Sequence, residues 1–265
     1  LAGAALSGPI AALLSLIGPE WSLRYAAVVF IGGTVLAIKL PERVDSSEGE
    51  EQVPYRDVAS DESKRRANRY GITPAVVTAL RCNAGLRMLS GFLTLFMAFL
   101  LREKPIEGWE DHKAALLALV LGSVGVGSAL GTLIGSVLKS RTPEIVVVVT
   151  LIADAAAAVF AALFFGLIPA MVLALTAGLT QSLGKLSLDA LIQREIPEVV
   201  RTSVFSRSET LLQLSWVVGG FVAVIMPLVA KLGLFTLAGL MVAWLFVVVR
   251  GLVLARDKSS VTRFG

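Results

Sequence analysis

The chain has 265 residues, of which 55% are hydrophobic and 17% are charged, and its mean hydropathy is +0.78. A soluble domain has about 45–50% apolar and about 25% charged residues, so the composition excludes an ordinary soluble domain and indicates a membrane protein. The formal net charge of +4 decides little, because the distribution of Lys and Arg along the chain sets the orientation in a membrane. The single cysteine, Cys82, excludes a disulfide within the chain.

Eight stretches are long and apolar enough to cross a bilayer, which takes about 20 residues of helix. They lie at residues 1–17, 23–40, 84–101, 114–138, 145–165, 169–190, 210–230 and 232–250. The breaks between them carry turn or charge signals, among them a long polar break at residues 193–209 and a short one at 230–233. We therefore expect an all-α, polytopic helical bundle of about eight transmembrane helices.

One segment, residues 41–78, is polar, with an acidic run followed by a basic one. It has too few apolar residues to pack a core. We interpret it as a linker between residues 1–40, the last two helices of an N-terminal bundle, and residues 79–265, a six-helix C-terminal bundle. Leu1 lies inside an apolar run that lacks the basic n-region and the cleavage site of a signal peptide. We expect four further helices ahead of it, which would complete a six-plus-six arrangement.

The Lys and Arg residues predict the orientation. With the linker placed in the cytoplasm, 17 of the 24 fall on the cytoplasmic side and 5 on the opposite side. Basic residues concentrate on the cytoplasmic side of membrane proteins. We expect a multi-pass protein of the cytoplasmic membrane with the linker and the C-terminus in the cytoplasm.

Asp154 is the most informative polar residue, because it lies about nine residues into a predicted span. That position is about 14 Å deep, near the middle of the bilayer, where a carboxylate is costly. One interpretation is a proton-coupling or substrate-contacting group in a water-filled cavity. The other is a protonated, hydrogen-bonded carboxyl that holds two helices together.

Three polar residues of the sixth span, Gln181, Lys185 and Asp189, follow one another at intervals of four. They share one helix face, and Lys185 and Asp189 can pair. This face either lines or gates the cytoplasmic half of a cavity, or it holds a local ion pair near the interface.

The stretch before the seventh span predicts a short amphipathic connector. Arg207 and Glu209 lie in it, and we expect them to bond to neighbouring helices or lipid headgroups, or to be ordinary cytoplasmic loop charges. Gln213 lies about one turn beyond Glu209, so we expect it to face the bundle interior.

Three glycines of the fourth span, Gly127, Gly131 and Gly135, recur every four residues. On a helix they form a groove where a second backbone can approach closely. The G-x-G within this stretch is not a nucleotide-binding loop, because the position that needs the next glycine is Leu130 and no strand precedes it.

Other chemistry has little support. His112 is the only histidine and no cysteine pairs with it, so a metal site has little support. No P-loop or G-x-S-x-G turn is present. We expect no enzyme activity, no cofactor, no metal and no nucleic-acid partner.

Two stretches resemble the major facilitator superfamily, in particular its bacterial efflux members. "GTLIGSVLKSRTPE" at 131–144 is similar to the second copy of the family's signature loop, where Lys139 and Arg141 stand for the basic gating residues. "LSGPIAALLS" at 6–15 is similar to the antiporter motif of the fifth helix, with Gly8 and Pro9 matching.

The resemblance covers the fifth to the twelfth helix of the family, and it implies transport by alternating access. It implies a secondary transporter of the cell membrane that exports a small amphipathic or hydrophobic solute in exchange for protons or another coupling ion. The partners would be the solute, the coupling ion, the lipid bilayer and the preceding helices. An uptake permease for a small metabolite and a non-transporting remnant or scaffold stay open as alternatives.

Overall fold

The computed structural model describes residues 10, 14, 17–39, 73–138 and 142–261. The chain divides into two compact units, Leu1–Glu50 and Glu51–Gly265. Several sequence predictions lie outside the described residues: nearly all of the first span, with Gly8 and Pro9, most of the linker, and Lys139 and Arg141.

The first unit contains helix α1, Pro19–Ile38, which overlaps the predicted span at 23–40. Proline suits the first position of a helix, because its missing N–H would have no partner there, and an acid in the first turn interacts well with the helix dipole. Pro19 and Glu20 supply both features. The Arg24 guanidinium lies 4.9 Å from the centre of the Trp21 ring.

The second unit contains six long helices. They are α2 (Pro74–Glu103), α3 (Lys113–Leu138), α4 (Pro143–Leu163), α5 (Leu167–Glu195), α6 (Glu198–Ile225) and α7 (Ala230–Val261), with a short 3-10 turn, Glu110–His112, before α3. In the part of the chain that the structure describes, these six helices are long and apolar enough to cross a membrane. The described residues contain no strand, so the protein is an all-α, polytopic membrane protein.

Helix α2 begins ten residues before the predicted span at 84–101. Thr73 explains this, because its hydroxyl accepts a hydrogen bond from the backbone N–H of Val76 at 3.3 Å, and Pro74 occupies the first helical position. The first turns of α2 therefore take residues that the sequence placed in the linker.

Two predicted breaks are wrong. The polar stretch 193–209 is not a loop with a separate connector, since only Ile196 and Pro197 separate α5 from α6 and α6 runs unbroken from Glu198. The break predicted at 230–233 lies earlier, at 226–229, where Pro227 cannot donate a helical hydrogen bond. Polar residues alone do not end a helix whose backbone bonds are all made internally, whereas proline does.

Helix α2 is the centre of the second unit, because it contacts all five other long helices. Its buried side chains include Phe92 and Phe96, whose rings stack with centroids 5.0 Å apart. The other helices therefore pack around α2 and against one another.

The glycine row of α3 lies against α5. A Cβ placed on Gly127 would overlap the carbonyl oxygen of Leu175, and one on Gly131 would overlap that of Leu179. Gly135 differs, because a Cβ there would meet the flexible end of the Leu186 side chain, 2.6 Å away. The backbones of α3 and α5 therefore approach closely at Gly127 and Gly131, and also at Gly178 of α5, where a Cβ would overlap the carbonyl oxygen of Val124.

A second close approach joins α2 and α6, and the sequence analysis did not find it. A Cβ on Gly91 would overlap the carbonyl oxygen of Trp216, and one on Gly219 would overlap that of Met88. The two glycines lie on different helices and far apart in the sequence, so no repeat within one helix reveals the pair.

We expect Gly131→Ala to destabilise the protein by about 1–3 kcal/mol, because its Cβ has no room beside the Leu179 backbone. Gly125→Ala on the same helix is the matched control, since nothing lies within 4 Å of a Cβ at that position. The control should leave stability unchanged or raise it, because alanine is the better helix former. Thermal unfolding of the purified protein in detergent measures both, and equal melting temperatures would contradict the close-packing role.

Candidate functional site

An apolar cleft lies between α2, α3 and α5. Most of its lining is aliphatic, from Leu93, Met97, Leu117, Val120, Leu121 and Ala174. Its polar lining residues are Ser90 and Thr94 of α2 and Gln181 of α5. The side-chain nitrogen of Gln181 is buried and has no hydrogen-bond partner among the described residues. An unsatisfied buried N–H is costly, so a bound molecule that offers an acceptor to it would be favoured.

Lys185 lies one turn beyond Gln181 on the same face of α5. Its ammonium is 3.0 Å from a carboxylate oxygen of Asp189, so the pair predicted from their spacing is confirmed. It is also 2.9 Å from a carboxylate oxygen of Glu209 on α6. One lysine therefore serves two carboxylates on two helices.

Two further side chains reach Glu209. Gln213 donates a hydrogen bond to its other carboxylate oxygen at 3.0 Å, and the charge of Arg87 on α2 interacts with it electrostatically. The expectation that Gln213 faces the interior of the six-helix bundle is wrong, because its side chain is exposed beside Glu209. We call Arg87, Lys185, Asp189, Glu209 and Gln213 the charged cluster.

The charged cluster joins two helices that otherwise meet little. Helix α5 packs mainly on α3 and α4, α6 packs mainly on α2, and α5 and α6 have only a small mutual contact. The side chains of Lys185 and Glu209 are 29% and 42% exposed, so neither is sealed inside the six-helix unit. A change in the charge of Glu209 would therefore alter a direct link between α5 and α6.

Asp154 of α4 lies elsewhere in the bundle. Its side chain is 0% exposed, and one carboxyl oxygen is 2.9 Å from the hydroxyl oxygen of Thr180 on α5. The other oxygen has no hydrogen-bond partner among the described residues. Of the two interpretations of Asp154, the described contacts agree with the second, a carboxyl that joins two helices, here α4 and α5.

A second polar network joins the helix ends near Glu195. The Thr73 hydroxyl, at the start of α2, donates a hydrogen bond to Glu195 at the end of α5. Arg194 pairs with Glu195 at 2.9 Å and also with Glu144 at the start of α4. These contacts place the start of α2, the start of α4 and the end of α5 at one end of the bundle, which we call the Glu195 end.

Comparison with known proteins places the chain in a family. Residues 1–220 match the model of the Major Facilitator Superfamily. The chain belongs to the Major Facilitator Superfamily. The sequence resemblance is thereby confirmed, and the protein is a multi-pass membrane protein.

Three curated mycobacterial proteins are similar to this chain of the Major Facilitator Superfamily. Uncharacterized protein ML2143 of Mycobacterium leprae is 28% identical over 218 residues, which are 77% of this chain and 37% of that protein. Uncharacterized proteins MT0899 and Rv0876c of two Mycobacterium tuberculosis strains are each 36% identical over 217 residues, 77% of this chain and 38% of theirs. The matched part of the chain thus spans little more than a third of these relatives. No solved structure matches the chain.

The sequence analysis missed several buried polar residues of this superfamily chain, among them Thr180 of α5 and Asn83 of α2. The Asn83 side chain is 2% exposed and donates hydrogen bonds to the carbonyl oxygens of Ala79, at 2.9 Å, and of Gly184 on α5, at 3.0 Å. In the sequence it stands between Arg81 and Arg87, one residue before the predicted span at 84–101, so it does not stand out as a polar residue within the membrane. The bond fixes α2 against α5 one residue before Lys185, and so helps to place the charged cluster.

We expect Asn83→Ala to lower the free energy of unfolding by about 1 kcal/mol, because it leaves the Gly184 carbonyl without its partner across the helix interface. Ser215→Ala is the control, since the Ser215 hydroxyl is exposed and bonds only within its own helix, to Leu211, among the described contacts. Chemical denaturation in detergent micelles measures the two variants side by side. A larger loss for Ser215→Ala would contradict the role given to Asn83.

Proposed function

We propose that the protein is a secondary transporter that exports a small amphipathic or hydrophobic solute across the cytoplasmic membrane, driven by protons and working by alternating access. The observation that carries this proposal is the half-exposed charged cluster, which lies beside an apolar cleft in a chain of the Major Facilitator Superfamily. The preceding helices of the same protein would supply the second half of the pathway.

The cleft supports the solute class. Its walls are almost wholly aliphatic, which favours an apolar body, and its polar residues include Gln181 with a free N–H. A neutral solute with one carbonyl or ether oxygen would satisfy that N–H while burying the rest of its surface. A strongly charged solute would gain nothing there, because no charged side chain lines the described cleft.

The charged cluster supports proton coupling. A coupling group has to exchange protons with water, and Glu209 is 42% exposed whereas Asp154 is 0% exposed. Protonation of Glu209 would remove the charge that holds Lys185 across the gap between α5 and α6 and leave Lys185 to Asp189 alone. The sequence singled out Asp154 for coupling, and the geometry supports Glu209 better.

We expect Glu209→Gln to abolish the dependence of transport on a pH gradient, because the amide cannot take up or release the proton. Asp154→Asn, which alters a buried carboxyl of similar shape, is the matched control and should keep transport within about twofold of the wild type. Efflux of Nile red, a neutral apolar dye with a carbonyl group, measures both in cells and in vesicles energised by a pH gradient.

The opposite pattern, coupling lost in Asp154→Asn and kept in Glu209→Gln, would contradict the assignment to Glu209 and restore Asp154 as the coupling residue. Dye accumulation driven by the wild-type protein would instead indicate the uptake permease. No gradient-driven dye movement by the complete, well-expressed protein would contradict the proposed solute class and favour the non-transporting remnant.

The proposed orientation places the Glu195 end, the linker and the C-terminus in the cytoplasm. The excess of Lys and Arg on that side supports it. The loop between α2 and α3, which contains the exposed residue Glu107, would then face outward.

We expect Glu107→Cys to react with a membrane-impermeant maleimide in intact cells, and Gln193→Cys, exposed near the Glu195 end, to react only after the cells are permeabilised. The native Cys82 is buried at 0% exposure and should contribute no signal, which the unmodified protein checks. Labelling of Gln193→Cys in intact cells would contradict the proposed orientation and indicate the opposite one.

A further inference from the structure

We infer that Asp154 is protonated in the folded protein and donates a hydrogen bond to Thr180, so that it acts as a neutral link between α4 and α5. The proposed transport cycle does not use this buried acid. The assignment of the proton stands on hydrogen-bond geometry and does not depend on that cycle.

The Thr180 hydroxyl has three oxygens within hydrogen-bond distance but only one hydrogen to donate. The Thr180 hydroxyl oxygen lies 2.8 Å from the carbonyl oxygen of Thr176, 3.2 Å from that of Ala177 and 2.9 Å from a carboxyl oxygen of Asp154. A hydroxyl has one hydrogen, and a backbone carbonyl can only accept. A helical Thr hydroxyl commonly donates to the carbonyl four residues earlier, here that of Thr176. With the hydrogen there, the contact with Asp154 is attractive only if Asp154 supplies the hydrogen.

The second carboxyl oxygen of Asp154 also indicates a protonated acid. It is buried and has no hydrogen-bond partner among the described residues. An ionised carboxylate would share its negative charge with that bare oxygen, whereas a neutral acid leaves only a weak carbonyl acceptor unsatisfied. The orphaned oxygen is therefore tolerable for the protonated acid and very costly for the anion.

The surroundings offer no counter-charge. None of the ion pairs in the part of the chain that the structure describes includes Asp154. Its buried neighbours on α4 are uncharged: Thr150, Leu151, Ala155, Ala157 and Ala158. The basic group of α5 that follows Thr180, Lys185, is held by Asp189 and Glu209. Among the described residues, therefore, none compensates a negative charge on Asp154.

The neutral link positions α5. The bond from Asp154 holds α5 at Thr180, directly before Gln181, which is the first residue of the polar face. The bond therefore fixes the rotation of α5 about its axis at this point. That rotation aims Gln181 into the cleft and Lys185 towards Glu209. Asp154 is therefore a positioning residue.

Infrared difference spectroscopy of the purified protein in lipid, wild type minus Asp154→Asn, tests the protonation state directly. We expect the carbonyl stretch of a protonated carboxylic acid in the wild type, present at every pH at which the protein stays folded. Thr180→Val should shift this band towards the position of a free acid, because the hydroxyl acceptor is gone. Thr180→Ser, which keeps the hydroxyl, should leave the band in place.

A carboxylate band that disappears in Asp154→Asn, or an acid band that titrates while the protein is folded, would overturn the inference. If Asp154→Asn does not fold, the comparison of Thr180→Val with Thr180→Ser still decides it, since unshifted bands in both variants would contradict the donor role. Thermal unfolding adds a second measurement: Asn retains an N–H donor and should melt within a few degrees of the wild type, whereas Asp154→Ala should melt several degrees lower. Equal melting temperatures for Asn and Ala would count against the bond.

Discussion

The close approach of the α3 and α5 backbones at Gly127 and Gly131 is the contact on which the rest of the site depends. Helices in lipid gain nothing from hiding apolar side chains, so they associate through close packing and hydrogen bonds. The absence of a Cβ at these two positions lets α5 lie directly against α3. Helix α5 then carries one wall of the cleft, the lysine of the charged cluster and the hydroxyl that bonds to Asp154.

The buried polar groups around α5 are accommodated in different ways. Asn83 satisfies its side-chain N–H groups with two backbone carbonyls, one of them on α5. Asp154 is fully buried, and Thr180 is its hydrogen-bond partner among the described residues. Lys185 lies between two carboxylates and stays partly exposed. The first two hold helices in place, whereas the third links α5 to α6 through an exposed ion pair.

The helical elements were largely predictable, because long apolar runs leave few alternatives in a membrane. The errors have one physical cause. Residues 198–209 are polar, and the sequence analysis therefore placed them in a loop, yet a helix makes its own backbone hydrogen bonds whether or not its side chains are polar. Pro197 and Pro227 were the better markers of the helix ends, since proline removes a backbone donor. The site was less predictable, because Glu209 and Asn83 reach partners on other helices.

The sequence by itself determined that this is an all-α membrane protein of the Major Facilitator Superfamily, that Lys185 and Asp189 share a helix face, and that α3 carries a row of small residues. The superfamily follows from the resemblance of particular stretches and from the match to the family model, and the other properties follow from composition, helical periodicity and local spacing. Only the tertiary structure decided that Asp154 is sealed against Thr180, that Lys185 reaches Glu209, and that Gly91 and Gly219 bring α2 and α6 together. Which residues of different helices meet depends on the rotation and crossing of the packed helices, and no spacing within one helix records them.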